Sequence, residues 1–316
     1  MSARCARSWN WCTVAERVAV LLMAYGGPGS LDDVAPYLND VRGGRPTSPD
    51  LVREVRERYA RIGGRSPILE LTRAQANAVG RALGTGFQVY VGMRHWHPFI
   101  RETADEIVAA GHRHVVGVVM APHYSAMSVG AYEKKLLEAS QGRLETALVR
   151  SWGDHPQFLE GVTEHVKQAL QRFPTPAAVQ VIFTAHSLPQ RILAAGDPYP
   201  DELRASAAAV ATRAGVAAWR FAYQSAGATP DPWLGPDAGD VITELAADGR
   251  KAFLLVPIGF VCDHVEILYD IDVEYRELAA RLGVQLERTS SLNDDAHLVA
   301  AIADVTRTAA RTRGWT

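Results

Sequence analysis

AVQVIFTAHSLP, residues 178–189, is a strand-length apolar run that ends abruptly. Ala178–Thr184 has the length and the aliphatic and aromatic content of a buried β-strand, and Pro189 soon after cannot continue a ladder. His186 therefore stands where a buried strand stops, a place that turns an imidazole toward whatever lies beyond the sheet.

Outward from this segment the same signal repeats. Apolar runs of strand length occur at Arg17–Met23, Phe87–Met93, His114–Met120, Ala147–Ser151, Trp219–Tyr223, Ala252–Ile258 and Val284–Arg288. Helix-length amphipathic patterns alternate with them, at Asp50–Arg61, Leu69–Leu83, Pro98–Ala110, Gln157–Gln171, Asp201–Ala214, Ala238–Asp248, His264–Leu282 and Asp295–Arg311. Repeated β-α alternation predicts parallel sheets, because parallel neighbours need crossover connections. The fold class is α/β, with two Rossmann-like domains, each a mainly parallel sheet flanked by helices.

A chain of 316 residues suits two such domains of about 150 residues each. The expected division is a loosely ordered tail over 1–16, an N-terminal domain over 17–145 and a C-terminal domain over 146–316, whose last helix either completes it or packs back on the first. The net charge of −2 and the absence of a basic block argue against nucleic acid as a partner. Cys5, Cys12 and Cys262 form no C-x-x-C pair, so neither a disulfide framework nor a four-cysteine metal site is expected, and a cytoplasmic setting fits. No apolar run reaches the roughly 18–20 residues that span a bilayer.

In doubly wound sheets ligands bind beyond the carboxyl ends of the strands, which directs attention to the strand ends. After Met23 comes AYGGPGS (24–30), too unlike G-x-G-x-x-G to indicate a nucleotide, but presenting the phenol of Tyr25. RHWHP (94–98) and APHYS (121–125) follow two other strands, and for His95, His97 and His123 a structural role is the stronger reading. GFVCDHVEILYDIDVEYREL (259–278) is different: Glu266, Asp270 and Glu274 recur every four residues and stay near one face of a helix. Like charges in such a row destabilise a helix, so on their own they read either as a solvated face or as a site. An imidazole at one strand end and an acidic row at another make hard oxygen donors plus one nitrogen, suited to Fe2+ or Mg2+ and to relaying protons.

The segments LLMAYGGP, RYARIGGRSPI, GMRHWHP, APHYSAMSVGAYEKKL, TAHSLP, YQSAGATPDPWLGP and GFVCDHVEILYDIDVEY resemble, in order and spacing, those of ferrochelatases, most closely the coproporphyrin III ferrochelatases of Gram-positive lineages. The resemblance runs from about Val18 to the C-terminal helix. It implies a class II chelatase-like fold with a porphyrin held in the cleft, and insertion of Fe2+ into the macrocycle. His186 matches the family's catalytic imidazole and Glu266 its paired carboxylate, together the inner metal-binding pair. Asp270 and Glu274 match the acidic row assigned to metal or proton passage, and Tyr25 the tyrosine on the opposite porphyrin face. Arg42, Arg58, Tyr59, Ser66 and Tyr132 match positions that hold propionates in the coproporphyrin-type branch, where arginine forks and hydroxyls suit four carboxylates.

The expected partners are coproporphyrin III or protoporphyrin IX and Fe2+ as substrates, with transient contact to adjacent haem-pathway enzymes and no stable membrane insertion. No tightly bound cofactor is expected, and no [2Fe–2S] cluster, since beyond residue 12 the chain has only Cys262. There are departures from the family pattern. Arg42-Gly43-Gly44-Arg45 replaces two consecutive arginines of many relatives, and SLDDVAPYLNDVRGG (30–44) alternates polar with apolar residues where protoporphyrin-type relatives have an apolar lip. The competing functions are a protoporphyrin IX ferrochelatase that gives protohaem directly, a sirohydrochlorin-type cobalt or nickel chelatase, and a non-catalytic haem or metal carrier.

Overall fold

The computed structural model describes residues 17–227 and 229–316; the expected tail over 1–16 lies outside the described residues. In chain order the first half contains β1 (Val18–Ala24), α1 (Val34–Val41), α2 (Pro49–Arg61), α3 (Ile68–Leu83), β2 (Phe87–Met93), α4 (Ile100–Ala109), β3 (His114–Val119), α5 (Val129–Ser140) and β4 (Glu145–Val149). The second contains α6 (Pro156–Leu170), β5 (Gln180–His186), α7 (Arg191–Ala194), α8 (Tyr199–Ala214), β6 (Trp219–Gln224), α9 (Ala238–Ala247), β7 (Ala252–Val256), α10 (Val265–Leu268), a π-helix (Asp270–Tyr275), α11 (Arg276–Leu282), β8 (Gln285–Arg288) and α12 (Ala296–Thr312).

The strands form two parallel four-stranded sheets, ordered β2-β1-β3-β4 and β6-β5-β7-β8. The two orders are the same permutation, although no sequence repeat connects the halves. In each sheet the first strand in sequence is central, and the chain leaves it in opposite directions for its two neighbours. The crevice at such a switch point opens at the carboxyl ends of β1 and β3 in one half and of β5 and β7 in the other. Burial on both faces explains why the central strands are so apolar: every residue of β1 is buried, as is all of β5 except His186 at its end.

Two sequence expectations need correction. The domain boundary at 145/146 is misplaced, because β4 pairs with β3 from His114↔Glu145 to Val118↔Val149 and so belongs to the first sheet. A strand announces itself in sequence by its own apolar residues, whereas its partner is a tertiary choice. Its cover is equally remote: α12 returns from the second sheet to lie on α3, α6, β3 and β4, with Trp315 stacked on His114 at 4.7 Å. The other correction concerns His264–Leu282, which is not one helix but α10, the π-helix and α11 in succession.

The end of β5 is held by a close approach. Gly259, after β7, donates its N–H to the Thr184 carbonyl, and a Cβ there would lie 2.5 Å from Ala185 Cβ and 2.9 Å from Ala185 Cα. Gly259→Ala must push back the backbone that carries His186. We expect it to cost about 1–3 kcal/mol in urea denaturation, the usual range for overpacking a rigid contact, whereas an unchanged midpoint would show that β5 yields freely.

Candidate active site

His186 is the last residue of β5, and its orientation follows from two contacts. Its Nδ1–H donates to the Ser187 carbonyl, which can only accept, so Nε2 is the nitrogen left facing outward. That Nε2 lies 3.7 Å from Glu266 Oε1. Glu266 sits on α10, which the loop after β7 delivers to the same crevice. Its backbone is pinned by Gln224, the β6 residue in register with His186, whose Nε2 donates to the Glu266 carbonyl at 2.7 Å.

His264 completes this wall. Its Nδ1–H donates to the Cys262 carbonyl at 3.1 Å, and its Nε2 lies 3.8 Å from Glu266 Oε2. Both imidazoles thus face the carboxylate from backbone-anchored rings. Burial alone would raise the Glu266 carboxyl, but His186 and His264 outweigh it and leave it below its ordinary value. Oε2 is buried without a hydrogen-bond partner, an unsatisfied acceptor on an ionised group.

The acidic row continues along the π-helix, whose wider winding appears in the Glu274 N–H to Tyr269 carbonyl bond, five residues back. Asp270 is buried and accepts a hydrogen bond from the Ser225 hydroxyl. Burial lifts its carboxyl to about 7, with Glu266 and Glu274 adding to the rise and Ser225 and Arg58 opposing it. Glu274 is the most exposed of the three carboxylates, so the row reaches solvent there.

In the first half Tyr25 follows β1 directly and keeps 38% of its surface open. The protein around it nevertheless pushes its phenol up to about 12, with the Glu266 charge adding, Arg94 opposing and Asp40 adding. Its ring lies 4.6 Å from that of His95, which burial lowers to about 4 against a hydrogen bond to Asp40.

The rim residues named from sequence separate into two groups. Tyr59 and Ser66 pack at the glycine turn: a Cβ on Gly27 would lie 2.6 Å from Ser66 Oγ and 3.3 Å from Tyr59 Oη. Tyr59 and Tyr132 are both almost fully buried, yet Glu266 still adds to the upward shift that burial gives each hydroxyl. Arg42, the cap of α1, has its Nε enclosed without a hydrogen-bond partner. Arg58 is engaged elsewhere: it bonds Glu54 at 3.0 Å, lies over the Tyr269 ring, and reaches Asp270 at 3.8 Å and Glu274 at 3.9 Å. It covers the outer acidic row as a counter-ion.

Sequence reading missed His264 and Arg94. The guanidinium of Arg94 lies 5.9 Å from the Tyr25 ring centroid and 5.3 Å from that of Tyr132, with Nε buried and unpaired. His264 adjoins the acidic row and could have been found from its place two residues before Glu266. Of the other histidines, His97 pairs with Glu102, and His123 is a neutral core residue bonded to Ser206, lowered by burial to about 3. That matches the structural reading for both.

Two parallel sheets of the same strand order, with imidazole and acid at strand ends of the second and Tyr25, Tyr59 and Tyr132 of the first half near enough to feel Glu266, define a chelatase-like architecture. Among solved structures the chain is similar to SirB from Bacillus subtilis with Fe3+, at TM-score 0.57 and 14% identity over 94% of this chain and 98% of that one, a likeness of fold. The ferrochelatase family model matches residues 17–310. A ferrochelatase of Herpetosiphon aurantiacus is 46% identical over 291 residues, covering 89% of this chain and 95% of that protein. The coproporphyrin III ferrochelatase of Bacillus subtilis is 37% identical over 300 residues, covering 92% and 97%. The chain belongs to the ferrochelatase family.

Asp270 gives the site a measurable stability signature. Its folded-state pKa of about 7 lies above its ordinary 3.8, so the folded protein holds the extra proton between those values and stability falls as pH rises through that window. Asp270→Asn keeps an acceptor for Ser225 and removes the titration. Its melting temperature should match wild type near pH 4 and exceed it by several degrees above pH 7; a constant difference across that range would contradict the buried-acid assignment.

Proposed function

We propose that the protein inserts Fe2+ into coproporphyrin III, giving Fe-coproporphyrin III, with His186 and Glu266 as the reacting pair. The observation that carries this reading is the Glu266 carboxylate, held ionised between two imidazoles with Oε2 buried and unpaired, opposite Tyr25.

Iron insertion needs four things: a grip on the macrocycle's rim, distortion that exposes the pyrrole lone pairs, acceptance of two N–H protons, and delivery of the ion to the ring centre. His186 Nε2, the ring nitrogen that the backbone does not engage, serves as the principal base. Glu266 stabilises the imidazolium that results and, through Oε2, supplies an oxygen donor to incoming Fe2+. With a pKa near 7 Asp270 exchanges protons readily at neutral pH, and Glu274 links it to solvent. Tyr25 bounds the opposite face of the ring and is placed to ligate iron in the product. Two protons leave as one dication enters, so the net charge of the macrocycle's core is unchanged and the cleft need not stabilise a lasting charge.

Support for four propionates comes from the donors around the cleft. Arg42 and Arg94 each hold a buried unpaired Nε, and Tyr59, Ser66 and Tyr132 add hydroxyls near the glycine turn or Arg94. Relatives 36–37% identical carry the name coproporphyrin III ferrochelatase. No helix among the described residues is long and apolar enough to cross a membrane, and cytoplasmic residence with transient contact to adjacent haem-pathway enzymes belongs to the proposal. So does the lack of a tightly bound cofactor or [2Fe–2S] cluster, Cys262 being the lone cysteine beyond residue 12.

Anaerobic assays with Fe2+ should give a kcat/KM for coproporphyrin III at least about tenfold above that for protoporphyrin IX. His186→Ala should lower metallation by about 10²–10⁴-fold, the range for losing a general base. Equal or better use of protoporphyrin IX would overturn the substrate, and a fully active His186→Ala would overturn the role of the imidazole.

A further inference from the structure

One carboxylate–imidazole contact, its imidazole buried, has no part in the chemistry above. Asp40, in the last turn of α1, places Oδ2 2.8 Å from Nδ1 of His95, whose surface is 7% exposed. His95 in turn supports Tyr25 in two ways. Its ring packs against the phenol at 4.6 Å with a tilt of 52°, and its backbone N–H donates to the Tyr25 carbonyl at 2.9 Å.

Asp40 is thus one step removed from the residue that faces the macrocycle. A carboxylate accepts at both oxygens, so it assigns the proton of the neutral His95 ring to Nδ1 and fixes the ring's plane, the usual work of a carboxylate behind a functional imidazole. The position of Asp40 also matters. Two residues on is Arg42, whose backbone N–H closes the same helical turn on Leu38 and whose enclosed Nε lacks a partner. One turn of α1 therefore carries both a rim donor and the group that orients the support of Tyr25. No other carboxylate hydrogen-bonds His95 among the described residues; the remaining charges that His95 feels are Arg94 and Lys135.

We propose that Asp40 is a positioning residue which, through His95, sets the angle at which the Tyr25 hydroxyl meets iron in the macrocycle. The inference rests on the ferrochelatase reading above, with Tyr25 on the second porphyrin face.

The test uses purified full-length protein loaded with ferric coproporphyrin III, read by visible absorption and resonance Raman for tyrosinate–iron ligation. Wild type, Asp40→Asn, Asp40→Ala, Asp40→Glu and Tyr25→Phe are compared, with metal-free coproporphyrin III binding measured by fluorescence quenching. Asp40→Ala should lose or shift the tyrosinate signature toward that of Tyr25→Phe, Asp40→Asn should do so in part, and Asp40→Glu should restore it. Metal-free porphyrin should bind Asp40→Asn within about threefold of wild type, which shows that the cleft is still formed. A wild-type signature in both Asp40→Asn and Asp40→Ala would overturn the proposal alone. Its absence from wild type itself would overturn the proposal together with the placement of Tyr25.

Discussion

Glu266 must remain charged inside protein, and much of the cleft is arranged around that requirement. Removing a lone carboxylate from water costs several kcal/mol, and the usual response is protonation. Here two imidazoles anchored by backbone carbonyls face it at 3.7 and 3.8 Å, and their effect exceeds that of burial. Burial raises the phenols of Tyr25, Tyr59 and Tyr132, and the same charge adds to each rise. Four residues further on Asp270 has the Ser225 hydroxyl and Arg58 at 3.8 Å, but burial exceeds their effect and it is lifted instead. Two neighbouring acids with opposite shifts divide the work: one holds a charge and the other trades a proton.

The fold makes this arrangement by repetition. Each half orders its strands in the same way, so each has one crevice at its switch point, and the residues that matter lie in the connections there. β1 is followed directly by Tyr25, β5 ends at His186, and the loop after β7 leads to Glu266. α12 crosses from the second sheet to the first and fixes the two crevices relative to each other. Rigidity matters for a chelatase, since distorting a planar ring requires walls that do not yield first.

Most of this framework was legible in the chain, because central parallel strands are buried on both faces and stand out as apolar runs. His186, Glu266 and Tyr25 were legible for a related reason, each following directly on such a run or on its loop. What stayed hidden depended on distant partners. Nothing local in Glu145–Val149 says that it pairs with β3, and six residues of π-helix are too few for their wider winding to disturb an amphipathic pattern. α1 escaped notice because it is only eight residues long and holds Pro36, and α5 because Glu133, Lys134 and Lys135 interrupt its apolar pattern. Arg58 reads as a rim donor from sequence, but its neighbours in space are the carboxylates of the acidic row. Arg94 and Asp40 gain meaning only when β1, β2 and α1 are brought together.

The account stands on Glu266 acting as a charged group in metallation and not as a support for the porphyrin. Glu266→Gln preserves its size and removes the charge, so the decisive measurement is its kcat for anaerobic Fe2+ insertion beside its affinity for metal-free coproporphyrin III. The predicted result is a fall in kcat of at least about a hundredfold with porphyrin affinity within about threefold of wild type. A Glu266→Gln protein that inserts iron at the wild-type rate, or that loses porphyrin affinity while kcat is kept, would contradict it.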